Sequence, residues 1–255
     1  MTISTMSPRG RNKFINLLLP LLFWVGLWAL AAQAVGKPFL LPSPLLTAET
    51  LLAQAVLPAF WQKTGLTLLR MTGGYLLGVL LGAVCGVLTH FSAIVSALLS
   101  PMMRLLRATP VASFILLLLL WVGTTWVPVV AAAMMVIPIV WGNVEKGLES
   151  TDAQLLELTA AYQFTAAKKL RLLYLPSVLP FLFAAAKTSI GLAWKAGVAA
   201  EVLCVPKFAI GTEIYRSKLY LETPALFAWT AVVILFSFLI EKLIGAALSR
   251  WEVPS

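Results

Sequence analysis

The stretch ATPVASFILLLLLWVGTTWVPVVAAAMMVIPIVWGNV, residues 108–144, contains no charged side chain. A transmembrane helix needs roughly 20 predominantly apolar residues, so this stretch is too long for one helix and long enough for two. The Gly-Thr-Thr sequence at residues 123–125, with Pro128 after it, is typical of a turn. The stretch therefore predicts two consecutive membrane-spanning helices, the third and fourth of the chain.

Four further apolar runs flank this stretch. They lie at residues 14–36, 71–89, 177–200 and 224–240, with a continuation of the last towards 248. The chain of 255 residues is 60% hydrophobic and 11% charged, whereas soluble domains contain about 25% charged residues. A soluble fold cannot hide that much apolar surface from water. The sequence thus predicts an all-α integral membrane protein with about six transmembrane helices.

The first run also has features of a signal peptide, because basic residues precede it and Ala32-Gln33-Ala34 resembles a cleavage site. Its apolar part exceeds the roughly 7–15 residues usual for such a peptide, so we expect a retained membrane helix.

The basic residues indicate the orientation of the helices. The net charge is +9, and cytoplasmic loops of membrane proteins carry the excess of Lys and Arg. The predicted cytoplasmic set is the larger one: Arg9, Arg11, Lys13, Arg104, Arg107, Lys146, Lys168, Lys169, Arg171, Lys242 and Arg250. We therefore expect both termini and residues 145–176 in the cytoplasm, with residues 37–65 and 202–223 outside. This reading of the charge predicts a lipid bilayer as the environment and no nucleic-acid partner.

Four glycines recur at intervals of four in the second run: Gly74, Gly78, Gly82 and Gly86. This spacing places them on one helix face, where small residues let a second helix approach closely. The pattern predicts a packing surface, either within the chain or between subunits.

Charged side chains interrupt the fifth run. Lys187 and Lys195 are two helical turns apart and share a face, while Glu201 lies near the outer end. Charged groups in a membrane usually face a bundle interior or an aqueous cavity. Lys195 and Glu201, with the adjacent Trp194, are candidates for a polar pathway. Pairing with another helix or snorkelling is the alternative for Lys195 and the preferred interpretation for Lys187.

The cytoplasmic segment contains a short amphipathic pattern. Leu155, Leu158 and Tyr162 recur at i, i+3 and i+7, which predicts an apolar stripe on a helix. Acidic residues come early in the segment and basic residues late, as the helix dipole favours. Such a helix either lies on the membrane or docks into a groove of a partner.

Residues 157–180 resemble the signature loop of permease subunits of ATP-binding-cassette (ABC) importers. That signature has Glu-Ala-Ala, a glycine six residues after the Glu, and an apolar residue with proline thirteen residues further on. Glu157 and Leu175-Pro176 match it, and Pro180 matches a second proline common in one branch of the family. Leu158 and Thr159 replace the two alanines, and Gln163 replaces the glycine. Glycine permits a turn that glutamine resists, so the resemblance implies a turn at a residue that disfavours it.

Other segments resemble the same branch, which transports nitrate, sulfonates, taurine, bicarbonate and thiamine precursors. These segments are residues 67–70, 107–110, 191–194 and 200–201. The resemblance covers about residues 40–250. It implies the type I importer permease fold, in which residues 59–248 form the transmembrane domain with the coupling loop at 145–176. Residues 1–58 would hold the N-terminal tail, first helix and external loop, and residues 249–255 a cytoplasmic tail.

The resemblance also implies partners and roles. Two ATPase subunits would contact the coupling helix, a second permease copy would complete the pathway, and an extracytoplasmic binding protein would deliver a small, anionic or thiamine-precursor-like solute. ATP and Mg²⁺ would bind to the ATPase subunits, with no cofactor or metal on this chain. The implied ATPase contact consists of Glu157, Thr159, Ala160, Ala161, Gln163, Phe164 and Pro176.

The sequence gives less support to other classes of protein. No Gly-x4-Gly-Lys-Ser/Thr motif occurs, so the chain is not expected to hydrolyse ATP. An ion-coupled secondary transporter needs an intramembrane carboxylate, for which Glu201 is the candidate. A membrane enzyme needs a catalytic cluster, but His90 is the sole histidine and has no carboxylate near it in sequence. Cys85 and Cys204 are expected to be packing residues.

Overall fold

The computed structural model describes residues 13–249, so Arg9, Arg11, Arg250 and the predicted tail after residue 249 lie outside the described residues. All regular structure within residues 13–249 is helical. The helices are α1 (Lys13–Val35), α2 (Pro44–Ala55), α3 (Pro58–Phe91), α4 (Ala93–Ala108), α5 (Val111–Leu118), α6 (Val127–Glu149), α7 (Ala153–Ala161), α8 (Ala166–Lys169), α9 (Leu175–Cys204), α10 (Ile210–Leu219) and α11 (Thr223–Ser249). A π-helical segment, Leu170–Tyr174, joins α8 to α9.

Five helical stretches in the described residues are long and apolar enough to cross a membrane. They are Leu18–Val35, Pro58–Phe91, Val127–Glu149, Ala166–Cys204 and Thr223–Ala247. A sixth crossing requires α4 and α5 together, which meet at an angle of 111°. The prediction of an all-α membrane protein with about six membrane helices is therefore confirmed.

Helix starts in the outer segments follow local sequence signals. The hydroxyl oxygen of Ser43 accepts a hydrogen bond from the amide of Leu46 at 3.2 Å, and Pro44 occupies the first turn of α2. Ser at the N-cap and Pro directly after it are favoured at helix starts. Helix α3 begins at Pro58, earlier than residue 71, where the apolar run begins. Much of residues 37–65, predicted as an external loop, is therefore helical.

The four glycines of α3 form its contact with α6. A Cβ on Gly78 would lie 2.6 Å from the Cβ of Val136, and one on Gly86 would lie 2.8 Å from the Cβ of Val144. Both positions increase together along the two helices, so α3 and α6 run parallel. Gly74 and Gly82 also meet side chains of α6, at the Cβ atoms of Ala132 and Val140. The glycine surface packs within this chain.

This parallel packing determines the topology. The chain must cross the membrane between the end of α3 and the start of α6, and residues 92–126 make that crossing. Helix α9 runs back against α6, because Gly147 lies next to Val178 at one end while Ala131 clusters with Ala200 at the other.

Helix α11 returns antiparallel to α9, and α1 packs on its outer part, where the ring of Trp28 stacks on Phe227 at 5.6 Å. The first and last described residues therefore lie on the same side of the membrane.

The third membrane crossing differs from its prediction. We expected one helix running from residue 108 to the turn at residue 123, but its helical part is only α5, Val111–Leu118. Pro110 has no amide hydrogen and disfavours helical geometry at Thr109, which is extended (φ −76°, ψ 129°). Helix α4 ends there, and the chain bends before α5. The predicted break near Gly123 is confirmed, since α6 begins at Val127.

Candidate functional site

The cytoplasmic segment between α6 and α9 folds into a short exposed helix. Asp152 caps α7 by accepting a hydrogen bond from the amide of Gln154 at 2.8 Å. The stripe predicted from sequence is exposed, with Leu158 at 50% and Tyr162 at 71% of their full accessible surface. Glu157 is exposed beside them. Within residues 13–249 nothing covers this apolar face, so it is available to a partner or to the membrane surface.

The turn after α7 adopts the geometry that a glycine would favour. Gln163 has φ +51°, in the left-handed region. Its amide donates to the carbonyl of Ala160 at 3.1 Å, and the amide of Phe164 donates to Thr159 at 2.9 Å. These bonds satisfy carbonyls at the helix end, as in common left-handed caps. The turn at the signature position thus forms with Gln163 in place of glycine.

The other predicted coupling residues fall into two groups. The side chain of Thr159 is buried and its hydroxyl donates to the carbonyl of Leu156 at 2.8 Å. Phe164 is half-buried, and the ammonium of Lys168 lies 4.0 Å from its ring centroid. The remaining ones are exposed: Ala160, Ala161 and Pro176. Thr159 and Phe164 therefore hold the segment together, while the exposed group presents its surface.

A second polar feature lies between α9 and α11, within the membrane-spanning part. Lys187, Gly191 and Lys195 follow one another at intervals of four and share a face of α9. The carboxylate of Glu241 on α11 lies against Gly191, where a Cβ would be 2.6 Å from Oε1. The resulting groove has a volume of about 550 Å³ and is lined by Lys187, Thr188, Gly191, Leu192, Lys195 and Glu241.

Glu201 lies elsewhere, fully buried where α9 meets α3 and α10. Its carboxylate accepts hydrogen bonds from the Thr67 hydroxyl at 2.9 Å, the Gly211 amide at 3.2 Å and the Arg70 guanidinium at 3.3 Å. Arg70 also donates to the carbonyl of Lys207 at 2.9 Å. These contacts tie the outer loop and α10 to the ends of α3 and α9, so in this conformation Glu201 faces no open pathway.

Trp194 is also buried, at 1% exposure. Its indole Nε1 donates to the carbonyl of Val233 at 3.1 Å, and its ring contacts Phe236. The three candidates of the fifth run are therefore not brought together: Lys195 lines the groove, whereas Trp194 packs α9 against α11 and Glu201 anchors α10.

Sequence reasoning missed two residues of these sites. Glu241 lies inside α11, directly after the apolar run 224–240. Only Glu201 is therefore considered from the sequence as a carboxylate near the membrane interior. The guanidinium of Arg70, in the outer part of α3, pairs with Glu201. Gly191, which admits Glu241, was quoted only as part of a family motif. A search for intramembrane charges beyond the ends of the apolar runs would have found Glu241.

The fold and these features define a multi-helix membrane protein with an exposed amphipathic helix between α6 and α9. Residues 74–251 match the family described as binding-protein-dependent transport system inner membrane component. The chain belongs to this family. It is a membrane permease subunit of an ABC importer, which confirms the resemblance noted in the sequence, and members of this family are not themselves the enzymes of the transporter.

Individual relatives agree with this assignment. The chain is 25% identical over 251 residues to the putative aliphatic sulfonates transport permease protein SsuC of Bacillus subtilis, covering 95% of this chain and 90% of that protein. It is 33% identical over 172 residues to a probable ABC transporter permease protein of Haemophilus influenzae, covering 65% and 69%. It is 25% identical to the taurine transport system permease protein TauC of Escherichia coli, covering 84% and 80%.

Solved structures support the fold. A chain of the MetNI methionine ABC transporter, in an inward-facing conformation, superposes with a TM-score of 0.57 at 17% identity, covering 74% of this chain and 93% of that chain. A chain of an amino acid ABC transporter gives a TM-score of 0.55 at 18% identity, covering 74% and 89%. The predicted importer permease fold is confirmed.

Proposed function

We propose that two copies of this chain form the translocation pathway of an ABC importer, each docked through residues 150–176 on an ATPase subunit. ATP and Mg²⁺ bind to the ATPase pair, and closure of that pair moves the docked segments and switches the side to which the pathway opens. The observation that carries this proposal is the uncovered apolar stripe of α7 beside Glu157. An amphipathic helix with one apolar face is suited to a groove on a partner.

The solute is a small organic or inorganic compound delivered from outside by a binding protein. Relatives are named for aliphatic sulfonates, taurine, bicarbonate, formylaminopyrimidine and riboflavin. Three of these five are anions or carry an anionic group, which favours an anionic solute over a thiamine-precursor-like one. The binding protein is expected to contact the outer surface around residues 202–223, where α10 lies.

The coupling role of α7 is tested by reversing the charge at Glu157. Glu157→Lys places a cation within the docking surface, and we expect it to lower the amount of ATPase subunit recovered with the tagged permease by about tenfold, equivalent to about 1.4 kcal/mol of binding free energy. The measurement is co-purification from mild detergent, with vanadate-sensitive ATPase activity on the same samples. The variant should still insert into the membrane.

Glu149→Lys provides the matched control, because Glu149 is an exposed carboxylate at the end of α6, outside α7. It makes the same charge change and should leave recovery of the ATPase close to that of the parent. Equal recovery with Glu157→Lys would contradict the placement of the ATPase contact on α7.

A further inference from the structure

We propose that the groove between α9 and α11 is a binding site for a small oxyanion headgroup, held between Lys187 and Lys195, with Glu241 as a built-in counter-ion. This inference deepens the proposed function and rests on it, since it assigns the anion to the transported solute. It adds Lys187 and Glu241, for which the sequence had suggested no role in the pathway.

The two lysines lie inside the membrane-spanning helix. Lys195 is nine residues before the end of α9 at Cys204, which corresponds to about 14 Å along the helix. Lys187 is twelve residues after its start at Leu175, about 18 Å along the helix. Both side chains are exposed on the single chain. Charged groups within a membrane-spanning helix usually face a bundle interior or an aqueous cavity rather than lipid.

The cations are not neutralised within the described part of the chain. Neither lysine ammonium has a hydrogen bond or ion pair among residues 13–249. The carboxylate of Glu241 accepts a hydrogen bond from the Ser237 hydroxyl at 3.3 Å. Two ammonium groups therefore face one carboxylate in the groove, which leaves one positive charge. A site with this balance attracts a singly charged anion.

In a symmetric dimer whose two grooves face each other, each copy brings two lysines and one glutamate to the interface. Glu201 is already engaged by Arg70, Thr67 and Gly211. Pairing between two such grooves leaves one positive charge per copy, which a solute anion would compensate.

The shape of the site suits a small headgroup. Its volume of about 550 Å³ lies within the range usual for small-molecule pockets, about 300–1,000 Å³. Gly191 keeps the carboxylate of Glu241 close to α9, at the level between the two lysines. Glu241 therefore adds one negative charge beside the two lysines without forming an ion pair with either, which leaves both ammonium groups available to an incoming anion.

The test measures the charge preference of a thiol placed in the groove, which requires no knowledge of the solute. Cys85→Ala and Cys204→Ala give a cysteine-free parent, into which Leu192→Cys is introduced. The complete importer is placed in phosphatidylcholine nanodiscs, so that both faces are accessible. The thiol is reacted with the anionic sulfonatoethyl methanethiosulfonate and with the cationic trimethylammonioethyl analogue, each rate being divided by that of a free thiol.

We expect the anionic reagent to react about tenfold faster than the cationic one, because one unscreened positive charge nearby shifts the local concentration by about that factor. Adding Lys187→Gln and Lys195→Gln should abolish the preference, and Glu241→Gln should increase it. Sodium methanesulfonate should slow the labelling relative to sodium chloride at equal ionic strength, as expected for an occupied site.

Several results would overturn the inference. One is the absence of an anionic preference, and another is the absence of protection by methanesulfonate. A third is a labelling rate no higher than that of Leu235→Cys, an exposed position on another face of α11. Slower labelling when phosphatidylglycerol is added to the nanodiscs would assign the anion to a lipid headgroup instead. Co-purification of the ATPase subunit with the cysteine-free parent reports separately on the proposed function.

Discussion

At the level of single residues, the glycines of α3 let this helix approach α6 closely. Side chains of α6 occupy the space that a Cβ on these glycines would need, and backbone carbonyls of α6 lie within about van der Waals distance of it. In lipid, helix association relies on such packing rather than on removal of apolar surface from water. The contact between α3 and α6 is therefore sensitive to single methyl groups.

Gly82→Ala should destabilise the permease. The added Cβ would lie 2.8 Å from both the Ile137 carbonyl oxygen and the Val140 Cβ, and overpacking of this kind costs about 1–3 kcal/mol. The measurement is thermal unfolding of the purified permease in detergent, where the midpoint should fall. Gly73→Ala is the matched control, because Gly73 lies in the same helix and has open space at the Cβ position. Equal midpoints for the two variants would contradict the packing argument.

The charged residues show why single positions could be predicted only in part. The sequence identified Lys195 and Glu201 as charges in an apolar run, but the charged residues beside them are more than 40 positions away: Glu241 in the groove of Lys195 and Arg70 next to Glu201. Such pairs depend on which helices pack together. No periodicity within one run contains that information.

At the level of elements, the turn after α7 has Gln163 at the position where the family signature has glycine. Left-handed geometry costs a non-glycine residue about 1–2 kcal/mol, and Gln163 adopts it. Thr165 follows and caps α8 by accepting from the Lys168 amide at 3.4 Å. The turn is therefore held by its flanking caps against the preference of Gln163.

Gln163→Gly should make the turn more stable, because glycine adopts positive φ without the Cβ penalty. We expect a gain of about 1 kcal/mol, reduced by the greater freedom of glycine in the unfolded chain. Hydrogen exchange of the backbone amides in residues 159–164 is the measurement, and it should slow about fivefold.

Ala160→Gly makes a comparable change inside α7, where glycine is unfavourable by about 1 kcal/mol, and should speed exchange. Faster exchange in Gln163→Gly would show that the glutamine side chain stabilises the turn.

The elements also show what a sequence predicts well. The break at residues 123–125 follows from Gly and Pro, which act on the backbone within a few residues. The amphipathic character of α7 follows from the spacing of its apolar residues. The bend of 111° between α4 and α5 does not follow from such local signals. Pro110 ends a helix, but the direction in which the next helix leaves depends on packing against α6 and α9.

At the level of the whole molecule, the packing directions fix the number of crossings more firmly than hydropathy does. By length and composition alone there are five candidate spans in the described residues, or six if the bent pair counts as one. With five, the termini would lie on opposite sides. Because α3 and α6 run parallel, residues 92–126 must return the chain to the outer side, which requires the sixth crossing. With six crossings the two ends of the described chain lie on the same side of the membrane.

This topology predicts opposite exposure for two thiols placed on either side of the bent pair. In the cysteine-free parent, Ser92→Cys lies after the inner end of α3 and Thr124→Cys lies before the outer start of α6. A membrane-impermeant maleimide applied to intact cells should label Thr124→Cys and leave Ser92→Cys unlabelled until the membrane is opened. Thr151→Cys, in the cytoplasmic segment, should behave as Ser92→Cys does. If Ser92 and Thr124 were labelled from the same side, α4 and α5 would form a re-entrant loop. The parallel contact of α3 with α6 could not then form, because one of the two helices would have to reverse its direction in the membrane.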